Sequence, residues 1–290
     1  MTQLLSSQTL LILILFVHFT FGQNSTSITQ VGPEKGTLLI VGGGSSGPMM
    51  FEKFIELAGG MDVPLVFMTT ANPSMTAEER EQRGNRLRSL GATDVTVMHT
   101  LDRAVADSDA FVAPLKKAKG VWFGGGRQWN LVDAYAGTKV EELLWEVLER
   151  GGVIAGSSAG ATIQGSYLAR GDTQNNQIMV GDHEEGFGYL KNVAIDQHHL
   201  ARNRHFDMFT ILKAYPHLLG IGIDENTAMV VQGDQFEVVG ESYVAVYDGS
   251  FWSREGSNLK DLPDAESLFY FLKPGDRYDL AKRRVITTRR

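Results

Sequence analysis

Gly152-Val153-Ile154-Ala155-Gly156-Ser157-Ser158-Ala159-Gly160-Ala161-Thr162 is the stretch that decides how this chain folds. A short apolar run enters a turn made of small residues. A helix-like run, Ala161 to Leu168, follows. A Gly-x-Ser-x-Gly frame between a strand and a helix is a nucleophile elbow, which holds its central serine exposed on a strained backbone. The helix that begins there points backbone N–H groups at whatever the serine meets. With Ser158 as that serine, the chain reads as a covalent hydrolase.

The same grammar extends outward. Thr37-Leu38-Leu39-Ile40-Val41 reads as a buried strand ending in Gly42-Gly43-Gly44-Ser45-Ser46-Gly47. Val63–Met68, Val95–Met98 and Gly120–Phe123 read as further strands. Helical runs lie between them, among them a charged surface helix from Thr76 to Leu90 and a long one from Trp129 to Glu149. Strand-helix repetition predicts a parallel sheet with helices on both faces, a three-layer α/β/α sandwich. Ligands of such sheets sit beyond the carboxyl ends of the strands. The glycine-rich turns after Val41, after Phe123 and at Ser158 should therefore converge on one crevice. Past residue 190, short strand-like pieces with Gly and Asp turns suggest an antiparallel C-terminal extension of the sheet.

With 290 residues, 43% of them hydrophobic, the chain can bury a large core. A formal net charge of −7 and the lack of a dense basic stripe argue against a nucleic-acid partner. Residues 1–22 carry no charged side chain and contain the apolar run Leu10–Val17. They read as a signal peptide cut near Gln23, which implies secretion without a lasting membrane anchor. Residues 23–35 read as a flexible N-terminal segment, and 36–290 as one catalytic α/β domain. The chain has no cysteine, so thiol nucleophiles and cysteine zinc sites are excluded. No other metal-ligand spacing appears, and no metal is expected.

Gly42-x-Gly44-x-x-Gly47 matches a dinucleotide fingerprint, but the second strand ends without the acid that would hold a ribose. A tight turn lining the crevice is the better reading, and no cofactor is expected. A serine nucleophile needs a base and an acid that orients it. His198, in Asp196-Gln197-His198-His199, directly follows a strand and is the first candidate base; His99 is the second. For the acid, Asp224 and Glu225 in Gly222-Ile223-Asp224-Glu225-Asn226 are equal by composition. The order Ser, His, acid is not that of α/β-hydrolases. Arg202 and Arg204, close after the histidine pair, suggest a substrate bearing a carboxylate.

These landmarks in this order, with Phe123-Gly124-Gly125-Gly126-Arg127-Gln128 and Lys273-Pro274-Gly275-Asp276-Arg277-Tyr278, resemble the cyanophycinases. Those belong to the dipeptidase-E-like serine peptidases, which share the class I glutamine amidotransferase-like fold. The resemblance runs from Gly36 to about Leu280. It implies Ser158 as nucleophile, His198 as base and Glu225 as orienting acid. It implies Gln128, Asp196, Gln197, Arg202 and Arg204 in the substrate pocket. The backbone N–H groups of Ala159 and of Gly124 or Gly125 are expected to hold the oxyanion. The implied substrate is cyanophycin, a poly-aspartate whose β-carboxyls carry arginine, and the implied product is β-Asp-Arg. Attack is expected at a β-carbonyl, with Asp196 meeting the substrate guanidinium. An α-aspartyl or isoaspartyl dipeptidase and a non-catalytic binding protein of the same fold are the alternatives. Relatives of this kind are often homodimers. Two positions depart from the family pattern: Asp207 stands for the third arginine of the basic cluster, and Arg127 for an acid before Gln128.

Overall fold

The computed structural model describes residues 30–44, 47–256 and 259–286. The signal-peptide reading of residues 1–22 falls outside them. From the first strand to the serine, the chain runs β1 (Thr37–Val41), α1 (Pro48–Ala58), β2 (Leu65–Met68), α2 (Ala77–Arg88), β3 (Val95–Met98), α3 (Arg103–Ala106), α4 (Asp109–Lys117), β4 (Gly120–Phe123), α5 (Trp129–Tyr135), α6 (Lys139–Glu149) and β5 (Val153–Ser157). Then follow α7 (Ala159–Thr162), β6 (Gly165–Tyr167), β7 (Leu190–Gln197), α8 (Met208–Ala214), β8 (Leu219–Ile223), β9 (Thr227–Gln232), β10 (Gln235–Gly240), β11 (Val244–Tyr247), β12 (Tyr270–Leu272), β13 (Arg277–Asp279) and β14 (Arg284–Ile286).

The five residues of β1, apolar but for Thr37, are buried throughout, as in a strand covered on both faces. It pairs in parallel with β5, and β5 with β4, β4 with β2 and β2 with β3. On its other side β1 pairs antiparallel with β9, followed by β10, β13 and β14. The helix ends are written in the sequence. Pro48 starts α1 and Gly59, at φ 108°, stops it. Thr76 and Glu79 form a reciprocal capping box at α2.

Alternate β1 residues face opposite cores. Leu39 and Val41 meet Phe51, Phe54 and Ile55 of α1, with Trp122 of β4. Leu38 and Ile40 belong to the larger core, shared with Leu144 of α6 and with Val193, Ile195 and Ile221 from beyond the first sheet. Each such side chain, fully buried, contributes about 1.5–3 kcal/mol.

Three expectations change here. The C-terminal strands do not all extend one sheet: β6, β7, β8, β11 and β12 form a second, five-stranded sheet, with β7 and β8 parallel. That sheet shares the larger core with the helices, so one outer layer is part helix and part sheet. The run after Ser158 is helical only to Thr162, because Gly165–Tyr167 pairs with β7. The run from Trp129 to Glu149 breaks at Ala136-Gly137-Thr138, where Gly137 takes φ 69°. At the N-terminal end, the N–H groups of Val31 and Gly32 both donate to Asp234, so this part of the expected flexible segment is pinned to the fold. Among the described residues no helix is long and apolar enough to cross a membrane.

Candidate active site

The strand order sets the site. β1, β5 and β4 are neighbours, so the glycine-rich turns after β1 and β4 flank Ser158 at the carboxyl end of β5. They meet in one cavity of about 290 Å³, lined in part by Gly44, Gly124, Gly125, Ser158 and His198. Ser158 sits at φ 58°, ψ −113°, outside the comfortable regions for a side-chain-bearing residue. Such backbone costs about 1–3 kcal/mol. The turn is held by the Ser158 N–H donating to the Val41 carbonyl, 3.1 Å, and by its own carbonyl accepting from Ala161 and Thr162. The flanking glycines are sterically required. A Cβ on Gly156 would lie 2.2 Å from the Gly160 oxygen, and one on Gly160 2.4 Å from the Phe123 oxygen.

His198 and Glu225 arrive from the second sheet, at the ends of β7 and β8. The Ser158 hydroxyl lies 2.9 Å from His198 Nε2, and His198 Nδ1 lies 2.5 Å from Glu225 Oε1. The three groups therefore form one hydrogen-bonded line, in which Nδ1–H donates to the carboxylate and Nε2 is left to accept from the serine. Gly43 makes room for it: a Cβ there would stand 2.3 Å from the imidazole. The glycine run that resembles a dinucleotide fingerprint is thus the seat of a histidine. Its Ser45 and Ser46 lie outside the described residues.

Burial lowers the His198 pKa; the hydrogen bond to Glu225 raises it, and the charges of Arg202 and Arg204 lower it. The net direction is down, toward a neutral ring. A neutral imidazole hydrogen-bonded to a serine on an elbow can take its proton, and a carboxylate at the far nitrogen can stabilise the imidazolium that results.

Asp224 has another task. Its carboxylate accepts from the N–H groups of Leu200 and Ala201 and from Ser242 Oγ, which fixes the turn after His198. His99 follows β3, which β4 and β2 separate from β5 in the sheet, and its Nδ1 lies 3.1 Å from Thr69 Oγ1. Of the expected oxyanion donors, the Gly124 N–H is already given to the Met68 carbonyl, 2.9 Å, which corrects that expectation. Gly125 abuts Ser158, with a Cβ there 3.8 Å from its Oγ, and Ala159 opens α7. Their N–H groups have no acceptor among the described residues.

Of the residues expected to line a substrate pocket, four are buried and bonded within the protein. Gln128 is fully buried and donates to the carbonyls of Ala169 and Arg170. Asp196, also fully buried, receives a bidentate pair from Arg170 at 2.7 and 2.9 Å. Arg170 reaches on to Asp207 at 2.5 Å. Arg204 is buried and bonds Gln197, through its carbonyl and its side chain. Asp196 therefore has an internal guanidinium as its partner, and only Arg202 of the set is exposed. Arg170 was not legible in the sequence, where it lies in an irregular polar stretch. Arg127 donates to the Asp172 carbonyl.

The model of peptidase family S51 matches residues 38–239. The chain belongs to peptidase family S51, and it is a serine-type peptidase. It is 29% identical over 261 residues to a cyanophycinase of Geminocystis herdmanii, covering 84% of this chain and 94% of that one. It is 29% identical over 270 residues to a cyanophycinase of Nostoc sp. PCC 7120, covering 87% and 88%. Among solved structures, a peptidase from an acI-B1 actinobacterium superposes with a TM-score of 0.63 at 24% identity, covering 86% of this chain and 97% of that one, a likeness of fold.

Proposed function

We propose that this S51 peptidase degrades cyanophycin to β-Asp-Arg dipeptides, with Ser158 as nucleophile, His198 as base and Glu225 as orienting acid. The observation that carries the reading is the hydrogen-bonded line of these three groups beside an open crevice. The cyanophycinase relatives supply the substrate class.

His198 takes the Ser158 proton as Oγ attacks a carbonyl. The oxyanion is held by the N–H groups of Ala159 and Gly125; losing one such donor costs about 3–4 kcal/mol of barrier. His198 then protonates the leaving amine, and water clears the acyl-enzyme. The product fixes which carbonyl is attacked. β-Asp-Arg keeps its isopeptide bond, so the bond broken is the main-chain amide and the attack falls on the α-carbonyl. Attack on the β-carbonyl, the first expectation, would release free arginine.

A second reading, an α-aspartyl or isoaspartyl dipeptidase, draws on the Arg170–Asp196 pair, which withholds from substrate the acid that was expected to meet its guanidinium. One experiment covers both. Wild type and Ser158→Ala are incubated with insoluble cyanophycin and, separately, with Asp-X dipeptides. Clearing of the suspension by wild type alone, with β-Asp-Arg as product, is expected. A turbid suspension with dipeptides cleaved selects the second reading. Equal behaviour of both proteins on every substrate refutes the nucleophile and favours a binding role.

The apolar stretch Leu10–Val17 supports export with processing near Gln23, and the mature N-terminus of secreted protein tests it. A homodimer is proposed from the family resemblance alone; sedimentation measures it.

A further inference from the structure

The outer wall of the cavity at Ser158 is made by α2 and the loop before it. Asn72, Met75, Arg83 and Arg86 line it on that side. The same four residues line a second cavity of about 510 Å³, together with Glu79 and Gln82. One groove therefore leads from the serine out along α2.

Arg83 and Arg86 stand three residues apart on one helix, so their guanidinium groups share a face. Among the described residues neither forms an ion pair. Their helix neighbour Arg88 is tied to Glu81 and Asn85. Glu79, one turn before Arg83, turns its carboxylate to the Thr76 N–H. Burial lowers the Arg86 pKa, and the charge of Arg83 lowers it further. Two like charges at this spacing are unfavourable without an anion between them. Of the two arginines expected to bind substrate, Arg204 is committed to Gln197 and Arg202 is exposed; the internal Arg170 is committed to Asp196 and Asp207.

We infer that Arg83 and Arg86 form a carboxylate subsite that takes the free α-carboxylate of an arginyl branch next to the scissile bond. This inference rests on the proposed cyanophycin activity. In cyanophycin the arginine is joined through its α-amino group, so every branch presents a carboxylate as well as a guanidinium. A planar guanidinium pair on the groove wall matches that carboxylate by bidentate hydrogen bonding. The subsite acts in binding and takes no part in proton transfer.

The test uses two soluble oligomers of poly-aspartate, one carrying arginine on its β-carboxyls and one carrying agmatine, which keeps the guanidinium and lacks the carboxylate. Wild type, R83Q/R86Q and R83K/R86K are assayed on both, with insoluble cyanophycin as a third substrate. Wild type is expected to favour the arginyl oligomer by about 10- to 100-fold in kcat/KM, carried by KM. R83Q/R86Q should bring the ratio close to one, and R83K/R86K should regain part of it. Each ratio is taken on one protein sample, so a loss of folded protein cancels. Equal preference in wild type and R83Q/R86Q overturns the subsite and leaves the activity standing, as does a wild type without preference. A wild type inert on both oligomers and on the polymer overturns the activity, and the subsite with it.

Discussion

His198 is poised between opposed influences. Burial and two arginines favour the neutral ring, while Glu225 favours the cation. Glu225→Gln removes the one carboxylate contact that stabilises the imidazolium. Its first effect is a lower rate, by about 10²- to 10⁴-fold, because an amide no longer fixes the tautomer or the developing charge. Its second effect has a sign. Without the carboxylate the His198 pKa falls further, so the acid limb of the kcat/KM profile should move to lower pH even as the plateau drops. A pH profile of the variant measures both; a limb that stays put or moves up would mean that Glu225 does not act on His198. Much of this was legible in the sequence. The elbow declares itself through local spacing, and His198 through its place after a strand. The choice of Glu225 over Asp224 was not open to composition, since it depends on which carboxylate the turn after β8 aims at the ring. The commitment of Gly124 to Met68 was equally hidden, because it depends on a strand neighbour far away in sequence.

At the scale of elements, β7 carries an acid that the fold neutralises from within. Asp196 is fully buried, and Arg170, from the loop after β6, meets it with two hydrogen bonds. Arg170 takes φ 58° to do so, a strained setting for a residue with a side chain. Arg204 forms a longer ion pair with the same carboxylate, 3.6 Å, beyond hydrogen-bond reach, and so offsets only part of a loss of Arg170. Arg170→Met should therefore destabilise the protein by up to about 3–5 kcal/mol, the usual cost of removing one partner of a buried pair. Asp196→Asn in the same chain should recover part of that loss, because the orphaned charge is then gone. Urea denaturation of the two single variants and the double variant checks the coupling; simple additivity would mean that the pair is not the source of the cost. Here the sequence misleads for a physical reason. The aspartate reads as free to meet a substrate guanidinium, the arginine in its polar loop carries no signal, and only tertiary folding spends them on each other. α2 carries the reverse lesson: its capping box and charge pattern mark a helix, yet nothing local tells which arginines lean over the crevice.

At the scale of the molecule, the site exists only because two sheets dock. Ser158 and the glycine turns belong to the nine-stranded sheet, His198 and Glu225 to the five-stranded one. The first was legible as a parallel array. The second was not, because the partners of β6, β7 and β8 are chosen by packing across the core. His199 reports on that second sheet. It follows the end of β7, its ring packs against Gly222 of β8, where a Cβ would lie 2.3 Å from Nδ1, and its Nε2 donates to the Tyr247 hydroxyl of β11 at 2.9 Å. Burial holds its pKa down to about 4, and Nδ1 has no partner among the described residues. In the unfolded chain the same ring titrates near 6.5. Above about pH 6.5 both states are neutral and the stabilisation is complete; it erodes as pH falls and is gone below about 4. Between about pH 7.5 and pH 5 the loss should reach about 2 kcal/mol. His199→Gln cannot ionise and keeps a donor for Tyr247, so its stability should fall less over that range. Chemical denaturation at the two pH values decides the matter. Parallel losses in wild type and His199→Gln would remove His199 as the acid-labile joint. A flatter response in the variant would separate acid unfolding of the second sheet from protonation of His198, which on the proposed mechanism silences Ser158 while the fold is intact.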